Sequence, residues 1–319
     1  MLHVRVIAPP ALTARVEKML VADDAVIHLV VLPGAARSPA GDLLQCDVVR
    51  EGASALLERL RALGLDRDGS IVVEHVDIAL SAAAERAARR TPGLGVDAVV
   101  WHEIEHKTGE ETQLSVAFLA FMTVATIIAA IGVLLNQPIL IVGSMVVGPE
   151  FGPLAALCIG LVQRRGYLIR RSATALLIGF PFAMALTVGA TWLLTAAGLI
   201  DRSMLADERP LVDFIWRPDA LSWVVGFLAG VAGMLSLTSA KSGTLVGVLI
   251  SVTTVPAAAN AAVAIAYGVR EEATGSALQL VINVAAIIVA GVLTLVVQQL
   301  GWKWTSRRRT ARGTTDRPS

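Results

Sequence analysis

The spacing of apolar and polar positions divides the chain in two. Up to about residue 90 the apolar positions form short periodic groups. The alternating run Leu2–Ile7 (LHVRVI) predicts a strand, and helical spacing follows through Ala11–Leu20. Val26–Leu32 is rich in β-branched residues and ends at Pro33-Gly34, which reads as a turn. A second cycle then gives Leu43–Val49 as strand, Ala53–Leu63 as helix and Ile71–Ile78 as strand. The order βαββαβ predicts a small ferredoxin-like α+β domain over residues 1–90. Ala79–Arg90 closes it as a short helix stopped by Thr91-Pro92-Gly93. A polar helix over Val96–Glu111 then makes residues 91–113 a linker and juxtamembrane segment.

From residue 114 the periodicity gives way to long uncharged runs at 114–149, 151–163, 172–200, 220–240, 242–269 and 273–302. A membrane-spanning helix needs about 20 apolar residues at 1.5 Å each to cross the hydrocarbon core. The runs predict six spans, Leu114–Leu135, Ile139–Val162, Ser172–Leu199, Leu221–Leu237, Thr244–Ala266 and Ala277–Leu300. They form a membrane domain over 114–300, followed by a basic tail at 301–319.

Composition agrees with this division. Of 319 residues 55% are hydrophobic and only 17% charged, against about 25% charged in a soluble domain. Residues 1–113 hold 12 Lys/Arg and 17 Asp/Glu, and the remaining charges cluster between the apolar runs. Arg164, Arg165, Arg170 and Arg171, then Lys241, then Lys303 and Arg307 to Arg309 fall on one side of a six-span layout. The positive-inside rule makes that side cytoplasmic, with both termini there, in a multi-pass protein of the cytoplasmic membrane. Trp192, Trp216 and Trp223 then mark the outer interface, and Trp302 and Trp304 the inner one.

Other classes fall away. Charges scattered through Met1–Ala22 do not suit a secretory signal. Cys46 and Cys158 lie in different regions and give no disulfide framework. A net charge of +1 without an aromatic-interleaved basic patch gives no nucleic-acid footprint. The N-terminal domain has no Gly-rich phosphate loop or metal-ligand cluster, so no cofactor is expected and it reads as a regulatory or assembly module.

The membrane domain carries an internal similarity. Leu114-Ser115 and Leu221-Ser222 each open a unit of apolar helix, polar turn and Gly-rich helix broken by proline. Pro153-Leu154-Ala155-Ala156 matches Pro256-Ala257-Ala258-Ala259, at 39 residues from the opening leucine in one unit and 35 in the other. With three spans per unit the copies are inverted, an arrangement whose broken helices point to a transport site at the midplane.

Glu150 is the only ionisable residue inside the predicted spans, flanked by Gly148, Pro149, Gly152 and Pro153. A carboxylate at mid-bilayer costs several kcal/mol and faces a cavity or a partner. Pro149 has no N–H, and Pro153 cannot donate to the carbonyl four residues back, so the helix opens here. Glu150 reads as a proton or cation site, or alternatively as a protonated carboxyl bonding two helices. Ser144 lies one turn before the break. Ser251, Thr253, Thr254 and Asn260 around Pro256, with Asn283 in the last span, are candidates for the opposite side of one polar site. Small-residue runs at 226–233 (GFLAGVAG) and 257–264 (AAANAAVA) let helices approach closely, within a subunit or in a homo-oligomer. His102-Glu103-Ile104-Glu105-His106 fits the H-E-x-x-H zinc pattern, with His102 and His106 as ligands, but lacks a third ligand at a suitable distance. The alternative is a solvated charged helix.

Asn136-Gln137-Pro138 followed by Ile141 to Pro153 (IVGSMVVGPEFGP) resembles the hallmark of the bacterial and archaeal uncharacterised hydrophobic domain family, domain of unknown function 389. Gly247 to Pro256 resembles its second motif, and Trp101 its pre-membrane tryptophan, so the resemblance covers about residues 97–298. Glu150 stands where that family more often has an apolar residue, and Val255 where it often has a second proline. The resemblance implies a polytopic fold, no protease role for the HEIEH stretch, and no particular substrate. The reading is a membrane transporter or channel for a small solute or ion. The rival is a sensor or scaffold that assembles through its cytoplasmic domain.

Overall fold

A computed structural model describes residues 1–76, 81–90, 104, 108–109, 112–206, 208–217, 219–238 and 253–313, the side chains of 88–90, 206 and 302–313 excepted. It divides into two compact units, the first built on residues 1–104 and the second mainly on 105–298.

In the first unit β1 (Leu2–Ala8), α1 (Pro10–Val21), β2 (Val26–Arg37), β3 (Ala40–Val48), α2 (Arg50–Ala62), β4 (Ser70–His75) and α3 (Ala82–Arg90) follow in order. The strands form one antiparallel sheet in the order β2-β3-β1-β4. Alternation in β1 buries Leu2, Val4, Val6 and Ala8 on one face. Val16 and Leu20 of α1 and Leu56, Leu57 and Leu60 of α2 pack into the same cluster, with Leu44, Cys46 and Val48 of β3. Each such leucine contributes about 1.5–3 kcal/mol of burial, so this small sheet has a core of its own.

Pro33-Gly34 does not turn the chain. β2 continues through it to Arg37, and pairing with β3 resumes at Ala36↔Gly41 after a register shift. Proline is tolerated because β2 is an edge strand, where a missing N–H breaks no ladder. Gly34 supplies a φ of +63° and donates its N–H to Asp42 Oδ1 at 2.7 Å. The reversal falls instead at Ser38-Pro39, between the two strands. Asp42 also accepts from Thr13 Oγ1 at 2.5 Å. The Thr13 bond first, and the Gly34 N–H second, hold its carboxyl below the usual range.

The second unit is helical. α4 (Val116–Leu134) starts at Ser115, whose Oγ caps the Phe118 N–H at 3.1 Å. α5 (Pro138–Val147) and α6 (Phe151–Gln163) are the two halves of the broken second helix, bent by 53° across Gly148-Pro149-Glu150. After them come α7 (Gly166–Ala196), α8 (Ala220–Thr238), α9 (Thr254–Tyr267) and α10 (Arg270–Gly313). Four of these, α4, α7, α8 and α10, are long and apolar enough to cross a membrane, and the bent pair makes five. α9 has 14 residues and is short for a span by itself; the first part of the predicted span Thr244–Ala266 lies outside the described residues. The polar helix predicted over Val96–Glu111 lies outside them almost entirely.

Helix ends depart from the predicted spans for one physical reason: charge ends an apolar run without ending a helix. α7 begins at Gly166 rather than Ser172 and includes Arg170 and Arg171. α10 begins at Arg270 rather than Ala277, its first turn carrying Glu271 and Glu272 where the helix dipole favours acids. It also continues past Leu300, so much of the expected tail is helix. The outward surface of this unit is apolar, with Val116, Ile139, Leu177 and Leu193 largely exposed, as a lipid-facing surface requires. The small residues lie inward. Gly226 and Gly230 of α8 face Asn283, Ala286, Ile287 and Ala290 of α10, and α9 is buried from Thr254 to Ala264, all but its last turn. Both small-residue runs are thus used for packing within one chain.

Candidate functional site

The break in the second helix and the start of α9 meet at one carboxylate. Glu150 is the N-cap residue of α6 and Thr254 the first residue of α9. Thr254 Oγ1 donates to Glu150 Oε1 at 2.9 Å. Glu150 is 3% exposed, and its second oxygen, Oε2, is buried without a hydrogen-bond partner. Two helix N-termini therefore converge on one carboxyl group, their partial positive charges offsetting part of its negative charge. Gly148 makes the approach possible. A Cβ at this position would strike the Glu150 carboxylate and lie 2.9 Å from Val255 Cγ2.

Next to this pair, Asn283 Nδ2 of α10 donates to Thr253 Oγ1 at 2.7 Å. Gln279 Nε2, one turn earlier in α10, reaches Asn283 Oδ1 at 3.4 Å. Glu150 with Thr254, and Asn283 with Thr253, all chosen from sequence, thus form two bonded pairs at adjacent positions of the chain. Pro149 lies in the break, while Gly152 and Pro153 fill the buried first turn of α6 and Pro256 that of α9. Pro153 and Pro256 are each the third residue of their helix, where proline's missing N–H is harmless.

Two candidates are placed differently. Ser144 is buried but donates to the carbonyl of Ile141 at 2.6 Å, within its own helix. Asn260 lies almost two turns along α9, in a second polar cluster. Its Nδ2 donates to Ser276 Oγ at 2.7 Å and to Glu272 Oε1 at 3.1 Å, and its Oδ1 accepts from Arg209 Nη1 at 3.5 Å. Arg209 Nη2 also forms an ion pair with Glu272. These side chains are almost fully buried, Arg209 at 4% exposed and Glu272 at 5%. Ser251, His102 and His106 lie outside the described residues.

The Arg209–Glu272 pair, Ser276 and Gln279 were not singled out from the sequence. Their signal was present: Glu272, Ser276, Gln279 and Asn283 follow at spacings of four, three and four, one face of a helix. The predicted span starts at Ala277, after Glu272 and Ser276, and so cuts this face in two.

The arrangement defines a helical protein with membrane-span candidates and a buried polar line through its interior, joined in the chain to a small α/β unit. Residues 145–289 match the family described as Domain of unknown function (DUF389), which bears out the resemblance carried by the Gly-Pro motif over a narrower range than residues 97–298. An uncharacterized protein of Methanocaldococcus jannaschii is 25% identical over 195 residues, 61% of this chain and 58% of that protein. The chain therefore matches little more than half the length of that relative. No solved structure matches the chain.

Proposed function

We propose that this chain is a membrane transporter or channel for a small ion or solute, with its site where Glu150 meets Thr254. The observation that carries the reading is the buried carboxyl group at two helix N-termini, with one oxygen unpartnered. In an apolar interior such a group is expensive, and intramembrane ionisable residues mark ion and substrate pathways. The bonded partner of Glu150 is a neutral hydroxyl, so the carboxylate's own negative charge, only partly offset by the two helix ends, dominates the site. The site thus favours a proton or a small cation over an anion.

Helix bounds support the finer reading of two inverted repeats and six spans. α4 and α8 have 19 residues each; α9 starts 103 residues after α6, and α8 and α10 start 104 after α4 and α7 (116 and 220, 166 and 270). The same offset relates Glu150 to Thr254, so the two residues in contact are equivalent positions. α6 and α9 also end alike, in left-handed Arg164 and Gly268, with matching bonds from Arg165 N to Gly160 O and from Val269 N to Ala264 O, both 2.8 Å. Pairing 116 with 220 replaces the Leu-Ser pairing and removes most of the difference in spacing. The antiparallel order β2-β3-β1-β4 with its interleaved helices likewise supports a ferredoxin-like domain. In this reading that domain is a cytoplasmic regulator, the protein assembles as a homo-oligomer, and it is not an enzyme.

The test is flux into proteoliposomes of the full chain, read by dyes for H⁺, Na⁺ and K⁺, beside Glu150→Gln. The expected result is flux of one of these ions in the parent and at least about ten-fold less in the variant, since losing a required site removes over 1.4 kcal/mol of stabilisation. Parent vesicles no leakier than empty ones to all three ions, with no metabolite stabilising the protein to heat, would overturn the proposal in favour of a scaffold.

A further inference from the structure

We propose that residues 208–217 are a plug closing one end of a polar path to Glu150, and that the Arg209–Glu272 ion pair is its latch. The inference rests on the transport reading for its purpose, but not for its geometry.

The path is a line of buried polar groups on α10. Glu272, Ser276, Gln279 and Asn283 occupy one helix face over about 16 Å at 1.5 Å per residue. At its inner end Asn283 bonds Thr253, next to the Thr254 that bonds Glu150. At its outer end Glu272 and Ser276 bond Asn260. Two acids and one base line it, so ionised it carries one net negative charge, which suits a proton or small inorganic cation.

The segment that closes it is well seated. Val212 and Ile215 are buried in a cluster with Val133, Ile141, Met145 and Ala257, from α4, α5 and α9. The carbonyl of Trp216 lies where a Cβ on Gly275 would be, so the plug packs directly on the first turns of α10. Arg209 sets its guanidinium over the last acid of the path.

The closed arrangement leaves polar groups without partners. Arg209 Nε and Trp216 Nε1 on the plug, Gln279 Oε1 on the path and Glu150 Oε2 at its end are all buried and unbonded. Buried polar atoms are nearly always satisfied in a single-state core. The four on the plug and its path are groups that a displaced plug would free to find partners. Arg209 acts as a tethered cation on Glu272. A proton or a small cation arriving at Glu272 neutralises the acid, releases the guanidinium and frees the plug.

The test is thiol labelling of Ser276→Cys in the full chain with a charged, water-soluble methanethiosulfonate. Native Cys46 and Cys158 are both buried and keep the background low. With the latch intact labelling is slow. Adding Glu272→Gln, which keeps the shape and removes the charge, speeds it at least about ten-fold, because the rate follows the open population. An unchanged rate in monodisperse protein overturns the latch. Should Glu272→Gln fail to fold, Val212→Cys with Ala257→Cys, joined by a short bifunctional thiol reagent, gives a second reading. Locking the plug stops flux and cleaving the link restores it; flux through a locked plug overturns the proposal. Parent protein without flux speaks against transport alone, and the labelling rate still decides the latch.

Discussion

The crossing of α8 and α10 permits a prediction whose size follows from the coordinates. A Cβ added at Gly230 would lie 2.8 Å from Ala290 Cβ and 2.9 Å from both the Cα and the carbonyl oxygen of Ile287. Ordinary carbon contacts are about 3.5–4.0 Å, and two of these three neighbours are backbone that moves only with its helix. Gly230→Ala therefore pushes the helices apart, at about 1–3 kcal/mol for overpacking. It also gains about 1 kcal/mol of helix propensity, which must be separated out. Gly189→Ala in α7 does this: it makes the same chemical change with nothing within 4 Å of the new atom. At about 2–4 °C per kcal/mol for a unit of this size, Gly230→Ala unfolds roughly 2–12 °C below Gly189→Ala. The assay is tryptophan fluorescence during heating in one detergent at one scan rate, because membrane proteins often unfold irreversibly. Equal midpoints, or a higher one for Gly230→Ala, would refute the close crossing.

Two further predictions concern the site and the N-terminal domain. Gly148→Ala displaces the Glu150 carboxylate from Thr254 and crowds Val255, while its backbone, at φ −65° and ψ 129°, accommodates alanine; flux falls by about ten-fold or more, and the thermal midpoint falls by roughly 2–12 °C, at about 1–3 kcal/mol for overpacking. Burial is the largest single influence on Asp47 and opposes its charge, but bonds from His28 and His3, at 2.7 and 2.8 Å, outweigh it and hold the carboxyl below its ordinary value. A lowered folded-state value gives stability that is present above the unfolded value of about 3.9 and lost as pH falls through the folded one. The protection factors of β1–β3 amides in the full chain, taken against the intrinsic exchange rate at each pH, thus fall on acidification below the unfolded value, and Asp47→Asn flattens the dependence; parallel profiles would contradict the clamp.

The apolar framework was legible because a hydrocarbon layer demands runs of about 20 residues, and few other settings permit them. Val116–Leu134 and Ala220–Thr238 differ from the spans read from sequence by one or two residues at each end. The broken second helix was legible because two prolines and two glycines around one acid permit little else. Glu150 and Thr254 were found separately, and their direct bond follows from an offset that single residues do not display. Charged positions misled. Arg209 lies in a loop whose composition suits water, and only the packing of Val212 and Ile215 takes it inside. The extension of β2 beyond Pro33-Gly34 was hidden likewise, since a turn dipeptide reads as a bulge only once the strand is known to be an edge.

That irregular edge has a consequence for chains crowded in two dimensions. A sheet with two regular free edges can add neighbours on both sides and grow without limit. Here β2 carries a proline, a register shift and an N–H already committed to Asp42, and α3 packs against it. The other margin of the sheet is β4. Two copies joined along β4 would leave β2 at both outer margins, so any association through this sheet would stop at a pair and would not propagate into a filament.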